Sequence, residues 1–227
     1  MSAYYHFIKR EQQEDGVSVA HYQPTKHAQG AWNEHEQHMA PATGLLTAEL
    51  NGYAPQENMR IARISLDILG LIPLDDFTIT TRCIRPGRTI ELVEAVMSSR
   101  GRDAIIARAW RLMTQDTSEI AGLEDQKSIH KPEGLSSWEG MKGWPGGFIE
   151  SVRLVAAPDR RPGRGMVFRS CHAQYINRAE LARRGRSLLR HQSAIMHCAL
   201  LVFFLGSICD FVPKPYERRI DYLESLL

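Results

Sequence analysis

The chain has 227 residues, of which 43% are apolar and 24% are charged, and its formal net charge is +2. This length and composition allow a sizeable core in one or two domains and exclude a disordered chain, a collagen-like repeat and a small disulfide scaffold. The four cysteines stand far apart with no C-x-x-C pair, which excludes a zinc ribbon and a dithiol redox site. The sequence therefore predicts a globular protein with reduced thiols.

The first 38 residues predict two strands followed by a loop. Residues 4–9 and 17–22 are rich in aromatic and β-branched side chains and are separated by a polar stretch at 11–16. Residues 23–38 contain Pro24, Gly30 and several histidines and follow neither the helical nor the strand period. We expect this last stretch to be a loop that leads into the next element.

The next segment predicts the one long helix of the first half. Pro41 is a favoured residue in a first helical turn, Leu45, Leu46 and Leu50 recur at helical spacing, and Gly52 provides a stop. These features predict a helix over residues 40–51. Its apolar side needs a surface to cover, which a curved antiparallel sheet supplies.

From Met59 onward the apolar pattern changes to period two. Strands are predicted from residue 59, at 77–85, at 89–99 and at 103–114, separated by turns at 73–76, 86–88 and 100–102. Four consecutive strands predict an antiparallel meander. The first 115 residues thus have the predicted order β-β-α-β-β-β-β, which is an α+β class with one helix among six strands.

The second half has a different composition. Residues 117–147 carry prolines and glycines typical of a linker, and a strand is predicted at 148–155 with a partner at 166–170. Between Arg153 and Arg190 ten arginines stand against two acids. The predicted domains are an N-terminal domain at 1–120, a linker at 121–147 and an atypical or partial second domain at 148–227.

The tail contains an apolar run at residues 194–209. The run is shorter than the roughly 20 residues of a membrane helix and is interrupted by His197 and Gly206, so we expect a buried helix or strand pair. The arginines at 183–190 are also typical of a membrane-associated segment, and membrane contact by the tail is the alternative. Because only Tyr175 could stack nearby, we expect no nucleic-acid partner. Residues 1–10 lack a secretory signal, which predicts a cytoplasmic protein.

Two stretches resemble the acyl-CoA thioesterase II-like family of double-hotdog proteins. The first is Trp32-Asn33-Glu34-His35-Glu36-Gln37-His38-Met39-Ala40-Pro41, leading into Leu45-Leu46-Thr47-Ala48-Glu49-Leu50. The second runs from Met59 through the Ile72-Pro73-Leu74 turn to the Arg85-Pro86-Gly87-Arg88 turn and the strand after it. The resemblance covers residues 20–115 and continues faintly through Gly146-Gly147-Phe148. It implies a hotdog fold, in which an antiparallel sheet wraps around a central helix.

The resemblance also implies an activity, the hydrolysis of fatty acyl-CoA thioesters in lipid metabolism. Enzymes of the family take an Asp, a Ser or Thr, and a Gln from their second hotdog. After Gly165 this sequence has no such pattern, so the catalytic residues are left unknown and the second hotdog is expected to be incomplete or atypical. A frame shift or a gene fusion near Gly165 is one hypothesis, and translation of the encoding DNA in the other two frames tests it.

Thioester hydrolysis needs donors for a developing oxyanion, and the start of a buried helix supplies backbone N–H groups and a favourable dipole. The candidate substrate-binding residues are therefore His38, Met39 and Ala40, with Asn33 and His35 from the preceding loop. A histidine packed in the loop or at the surface is the plainer interpretation of His35 and His38.

Arg85 and Arg88 are candidates for the phosphates of coenzyme A, because a guanidinium suits a phosphate. The alternative is a solvated hairpin tip. Glu49 and Asp67 lie in apolar contexts and are weighed as bases. His27, His35 and His38 lack metal-ligand order, so neither a metal nor a cofactor is expected.

The sequence thus predicts an acyl-CoA thioesterase-like protein that hydrolyses or binds a fatty acyl-CoA. The alternative is a non-catalytic acyl-CoA binding or structural hotdog module. Because an unpaired sheet edge normally acquires a partner, we also expect a homodimer formed through the sheet of the first half.

Overall fold

The computed structural model describes residues 3–120, 134–140, 142–156 and 158, and the backbone of two further strands at 167–171 and 174–176. The strands of these parts are Ala3–Gln12 (β1), Ser18–Pro24 (β2), Met59–Ile68 (β3), Phe77–Arg85 (β4), Ile90–Ser99 (β5), Arg102–Met113 (β6), Val152–Ala156 (β7), Val167–Cys171 (β8) and Gln174–Ile176 (β9). The helices are Met39–Gly52 (α1) and Gly147–Glu150 (α2), with 3-10 turns at Lys26–Ala28 and Ser118–Ile120.

The main element of the fold is a seven-stranded sheet, whose strands lie in the order β3-β6-β5-β4-β2-β1-β9. Its neighbouring strands are antiparallel except at the β1–β9 edge, where the pairing is parallel. β7 and β8 form a separate antiparallel pair. The predicted α+β class and the hotdog arrangement of one long helix against an antiparallel sheet are confirmed, and the six first-half strands occur in the predicted order along the chain.

The predicted four-strand meander is wrong at its first strand. β4, β5 and β6 follow one another as hairpins, but β3 pairs with the far strand β6, from Met59 opposite Met113 to Ile68 opposite Ile105. The cause is the connection at residues 69–76, which is no tight turn. It passes the start of α1, where the Ile72 carbonyl accepts a hydrogen bond from the Gln37 N–H at 2.7 Å. β4 consequently pairs with β2 on its other side.

The central helix is buried along nearly its whole length, from Ala40 to Leu50. Leu45, Leu46 and Leu50 are fully buried, as their spacing predicts. The facing strands contribute small residues, among them Ala95 and Ala107, which let the helix lie close to the sheet. A helix that is buried on all sides must satisfy its polar side chains internally, which α1 does through contacts described below.

The second half begins by packing onto the first. The predicted strand at 148–155 is instead the helical turn α2 followed by β7, and its predicted antiparallel partner is present as β8. Part of the predicted linker lies against β7, where the Trp138 N–H donates to the Leu154 carbonyl at 2.9 Å. Residues 121–133 and 177–227 lie outside the described residues, and with them the arginine-rich stretch at 183–190 and the apolar run at 194–209.

Candidate functional site

The segment that leads into α1, residues 28–38, folds back on itself as a small hydrogen-bonded antiparallel ribbon. The Gly30 N–H donates to the Glu36 carbonyl at 2.8 Å, and the His38 N–H donates to the Ala28 carbonyl at 2.7 Å. Residues 23–38 were predicted as a loop without regular structure. The ribbon matters because it fixes the direction in which the chain enters the helix.

Gln37 fastens the ribbon to the rest of the fold. It forms an antiparallel bridge with Gln29 and is 4% exposed. Its side-chain oxygen accepts from the Tyr5 hydroxyl at 2.8 Å, and its side-chain nitrogen donates to the Pro73 carbonyl at 2.8 Å. A buried amide with both ends satisfied holds its position, so the start of α1 is tied to β1 and to the β3–β4 connection.

His38 is the N-cap of α1. Its backbone is extended, and its Nδ1 accepts a hydrogen bond from the Ala40 N–H at 3.1 Å. Since Nδ1 is the acceptor, the neutral ring carries its proton on Nε2. In this state His38 could use Nδ1 as a base only by releasing the cap.

The backbone amides in the first turn of α1 differ in their hydrogen-bond partners. The Ala40 N–H is taken by His38, and Pro41 has no N–H. The Met39 N–H has no hydrogen-bond partner among the described residues. The first turn therefore offers the Met39 N–H, together with the partial positive charge of the helix N-terminus, to an approaching oxygen.

The first residues of the second half cover this site. The Phe148 ring stacks on the His38 ring with centroids 4.1 Å apart and an interplanar angle of 26°, and Phe148 is 2% exposed. The Phe148 N–H donates to the Gln29 carbonyl at 3.1 Å, and the Ser151 and Tyr4 hydroxyls are 2.8 Å apart. His38 is thus held by its cap on one side and by an aromatic ring from beyond the predicted linker.

Two glycines make this packing possible. Gly146 has φ +109°, and a Cβ there would meet the backbone of Gly30; a Cβ on Gly147 would overlap with the Lys26 carbonyl. The Gly146-Gly147-Phe148 triplet faintly resembles the start of a second hotdog. Its two glycines allow its backbone to lie close to the backbone of the ribbon and of the turn before it.

Glu36 is the residue of this region that the sequence does not single out. Burial raises the pKa of its carboxyl above the ordinary value, partly offset by a hydrogen bond from the Asn33 backbone. Its side chain lies over Gly30, since a Cβ on that glycine would stand 3.1 Å from the Glu36 Cγ. The sequence shows Glu36 only as an acid among histidines, and the ribbon pairing that gives it this position is a tertiary feature.

Asn33 and His35 lie at the outer tip of the ribbon. Both are exposed, and the Asn33 side-chain oxygen accepts from the His35 N–H at 2.8 Å. The His35 side chain is 78% exposed, with Nε2 3.6 Å from a Glu34 carboxylate oxygen. The structure places these two candidates on the surface of the segment whose base holds His38, Met39 and Ala40.

Arg85 and Arg88 are not brought together with the helix N-terminus. They lie at the end of β4 that faces away from the 69–76 connection, and the 9 residues of β4 span about 26 Å. The Arg85 side chain donates to the Ile90 carbonyl at 3.0 Å and lies 5.7 Å from the centroid of the Trp110 ring. Both arginines are exposed, which agrees with the hairpin-tip interpretation.

The two carboxylates weighed as bases have different surroundings. Glu49 is 1% exposed and is bound by the Arg10 guanidinium, with contacts of 2.8 and 2.9 Å, and by the Tyr22 hydroxyl. Asp67 is exposed on β3. Glu49 lies near the C-terminal end of α1, so neither carboxylate belongs to the site at its N-terminus.

An open cleft of about 950 Å³ lies at that C-terminal end. Its polar walls include Arg10, Glu49, Asn51, Arg60 and Arg111. Arg111 also pairs with the buried Glu91 at 2.8 Å. The arginines of this cleft are already bound to carboxylates or backbone carbonyls, and apolar residues such as Pro55 and Met59 line it as well.

Two further features follow from the described parts of the chain. No group of three or more His, Cys, Asp or Glu side chains there could hold a metal ion. Among the same residues, no helix has the length and apolarity needed to cross a membrane.

Comparisons with solved structures give the following likenesses. A thioesterase protein of Streptococcus pneumoniae with coenzyme A is 20% identical, with a TM-score of 0.40 over 48% of this chain and 85% of that chain. A Streptococcus mutans protein bound to acetyl CoA is 16% identical, with a TM-score of 0.39 over 48% of this chain and 88% of that chain. A thioesterase family protein of Silicibacter pomeroyi is 12% identical, with a TM-score of 0.39 over 46% and 82%. These scores carry no argument about activity or ligand.

A comparison with curated protein sequences finds no match. The family comparison is more informative. Residues 28–112 match the family described as the acyl-CoA thioesterase N-terminal domain. The matched segment runs from the ribbon through α1 and β3 to the penultimate residue of β6, so it contains the capped start of α1 and the strands that bury the helix. The match covers less than half of the chain, and over residues 28–112 the sequence is similar to the acyl-CoA thioesterase N-terminal domain.

Proposed function

We propose that this protein binds a fatty acyl-CoA thioester at the N-terminus of α1 and hydrolyses it. The observation that carries the proposal is the Met39 N–H at the start of a buried helix, which has no hydrogen-bond partner in the described part of the chain and lies in a segment that matches an acyl-CoA thioesterase domain. A thioester carbonyl directed at this amide would have its developing negative charge stabilised by the N–H and by the helix dipole. His38 is assigned to this site as the N-cap that orients the first turn of the helix.

The other predicted residues take lesser parts in the proposal. Ala40 acts indirectly, because its amide fixes the His38 ring. Asn33 and His35 are assigned to the rim, where a bulky coenzyme would pass. Arg85 and Arg88 are assigned no contact with the same carbonyl, since β4 separates them from it. The proposed domain division stays 1–120, 121–147 and 148–227, with residues 148–156 packed on the first domain.

A non-catalytic module that binds acyl-CoA is the second candidate. One observation favours it: the family's enzymes are expected to draw catalytic groups from a second hotdog, and the sequence after Gly165 has no matching pattern. In that case the site would bind the thioester without turnover.

A homodimer is also proposed. One side of β3 pairs with β6, and its other side has no partner strand in the described part of the chain. Ile68 at the end of β3 and Leu69 and Leu71 just beyond it are 44%, 55% and 40% exposed. An open edge next to exposed apolar residues is a surface that a second copy would cover.

The full chain should be tested with acyl-CoA substrates from acetyl- to palmitoyl-CoA, with thiol release as the readout. Met39→Pro is the informative variant. It removes the N–H but suits the first helical position, and His38 already has the extended backbone required before proline. Met39→Leu keeps the amide and is the matched control.

We expect Met39→Pro to lower kcat by about 100-fold, the loss typical of one oxyanion donor, and Met39→Leu to stay within a few-fold of the parent. Equal activity of the two variants would overturn the role of the amide. Saturable thermal stabilisation by acyl-CoA with no thiol release would select the binding module. Neither release nor stabilisation by any substrate would refute both functions.

A further inference from the structure

The face of the large sheet that points away from α1 carries an apolar strip. Its members lie opposite one another on β5 and β6 and are Ile90, Leu92, Trp110 and Leu112. Residues two apart on a strand share a face, and directly opposite residues share it too. Arg111, which lies between Trp110 and Leu112, points the other way and binds the end of α1. Leu112 is 40% exposed, and the other three side chains are half-buried, so the strip is open to solvent.

Arginines border the apolar strip on both sides. Arg63 of β3 lies directly opposite Trp110. On the other side, Arg85 of β4 lies opposite Leu92, and its guanidinium carbon is 5.7 Å from the centroid of the Trp110 ring. Arg88 lies in the turn that leads into β5. All three arginines are exposed, and the ion pairs of the described residues include none of them.

The acid that adjoins the strip on β5 is already neutralised. Arg82 and Arg108 each bind the Glu94 carboxylate at 2.8 Å, and their side chains remain 56% and 46% exposed. The next acid on this face along β3 is Asp67, four residues and about 13 Å from Arg63. Around the strip, five exposed arginines therefore stand against one buried carboxylate.

The shape and charge of this face decide which partner fits it. The strands β3, β6, β5 and β4 lie side by side here and span about 14 Å, which makes a broad surface and no groove. A second copy would bring the same arginines against these, and residues 153–190 hold ten arginines and only two acids. Base stacking on Trp110 is disfavoured because its ring is half-buried beneath Arg85.

An anionic lipid surface matches both properties of the face. Guanidinium groups bind lipid phosphates, and tryptophan and leucine side chains are favoured at the level of the headgroups. Cations that surround an apolar centre can contact the headgroups while the centre reaches the hydrocarbon boundary.

We propose that this outer face, formed by the apolar strip and its bordering arginines, docks on an anionic lipid bilayer. The strands lie along the bilayer surface, with Arg63 and Arg85 on lipid phosphates and Trp110 and Leu112 at the interface. α1 lies on the other side of the sheet, so docking leaves the start of the helix open to the water phase. The docking does not depend on thioester hydrolysis.

The test measures co-sedimentation of the full chain with two kinds of vesicle, phosphatidylcholine alone and equal parts of phosphatidylcholine and phosphatidylglycerol. We expect binding to the anionic vesicles only, weakening as salt rises. Arg63→Glu should lower the affinity by about 30-fold, since it reverses one charge at the surface, and Arg63→Gln by about 5-fold. Arg102→Glu is the matched control, because Arg102 is exposed at the far end of β6.

The fluorescence of Trp110 locates the contact within the chain. Lipids brominated near the headgroup should quench the parent, and Trp110→Phe should lose most of this quenching while it still binds. Thermal unfolding of each variant checks that it is folded. Parent-like affinity of both Arg63 variants, or equal losses in Arg63→Glu and Arg102→Glu, would overturn the proposal. Quenching that persists in Trp110→Phe, or binding to polyglutamate but not to anionic vesicles, would overturn it as well.

Discussion

At the scale of single residues, Glu94 shows how an arginine pair holds a buried charge on the outer face of the sheet. Arg82 and Arg108 each bind its carboxylate at 2.8 Å. Burial alone would raise the pKa of Glu94, but the hydrogen bonds and charges of the two arginines lower it below the ordinary value. The Glu94 carboxyl therefore loses its proton more readily in the folded protein than an ordinary glutamate does.

We predict that Glu94→Gln lowers the free energy of unfolding at pH 7 by about 1 kcal/mol, a modest value because both guanidiniums are partly solvated. A lowered folded-state pKa stabilises the fold above the unfolded pKa, and this contribution disappears as pH falls through the folded pKa. The difference from the parent in urea denaturation should therefore shrink between pH 7 and about pH 3. Asp75→Asn, at an exposed ion pair, is the control and should change little; a difference independent of pH would contradict the linkage.

The sequence predicts some residues of the proposed site but not their roles there. His38, Met39 and Ala40 are predictable because a buried helix after a polar loop has a recognisable start. The hydrogen bond from the Ala40 amide to His38 leaves Met39 as the first-turn amide without a partner among the described residues, and this follows from rotamer and cap geometry that no spacing encodes. The sequence does not single out Glu36, because the position of this residue depends on the hydrogen-bonded pairing of its segment with Gly30.

At the scale of elements, Arg111 of β6 ties the end of α1 to the sheet. Its guanidinium donates to the Leu50 and Tyr53 carbonyls, both at 2.6 Å, and pairs with Glu91 at 2.8 Å. A cation at a helix C-terminus satisfies carbonyls that have no intrahelical partner. The side chains of Arg111 and Glu91 are only 4% and 8% exposed, so either charge would be costly alone.

We predict that Arg111→Met destabilises the protein by about 3 to 5 kcal/mol, because it leaves the Glu91 charge buried without a cation, with Gln56 as its remaining hydrogen-bond donor. Adding Glu91→Gln to that variant should restore part of the loss, which chemical denaturation of the single and double variants can measure. Arg102→Met on the exposed end of the same strand is the control. If the double variant were as unstable as the sum of the single losses, the pair would not be coupled.

The sequence predicts a helix or strand well where its apolar residues follow a clear period of their own. The six first-half strands and α1 appear within a few residues of their expected limits, because each has a clear apolar period. The pairing of β3 with β6 was missed because strand neighbours depend on the path of the 69–76 connection across the start of α1. α2 was read as strand because its four residues are too few to show a helical period and are fixed by contacts with the ribbon.

At the scale of the whole molecule, the two edges of the large sheet differ. β9, from the second half of the chain, pairs with β1 and covers that edge in parallel. The opposite edge is β3, which in the described residues has only β6 beside it. Among the described strands, one edge of the sheet is thus covered by β9, and the other edge, beside the exposed Ile68 and Leu71, carries no further strand.

We predict that β3 is the contact between two copies. The full chain should elute in size-exclusion chromatography with light scattering at about twice the 25.7 kDa of one copy. Ile68→Lys should shift the mass toward one copy at micromolar concentration, since it places a charge in the contact and charged side chains protect natural sheet edges. Ile8→Lys is the matched control, because Ile8 is 57% exposed on β1, away from this edge. A parent that stays monomeric at all concentrations, or an equal loss in both variants, would exclude the β3 contact, and an Ile68→Lys variant that remains dimeric would move the contact elsewhere.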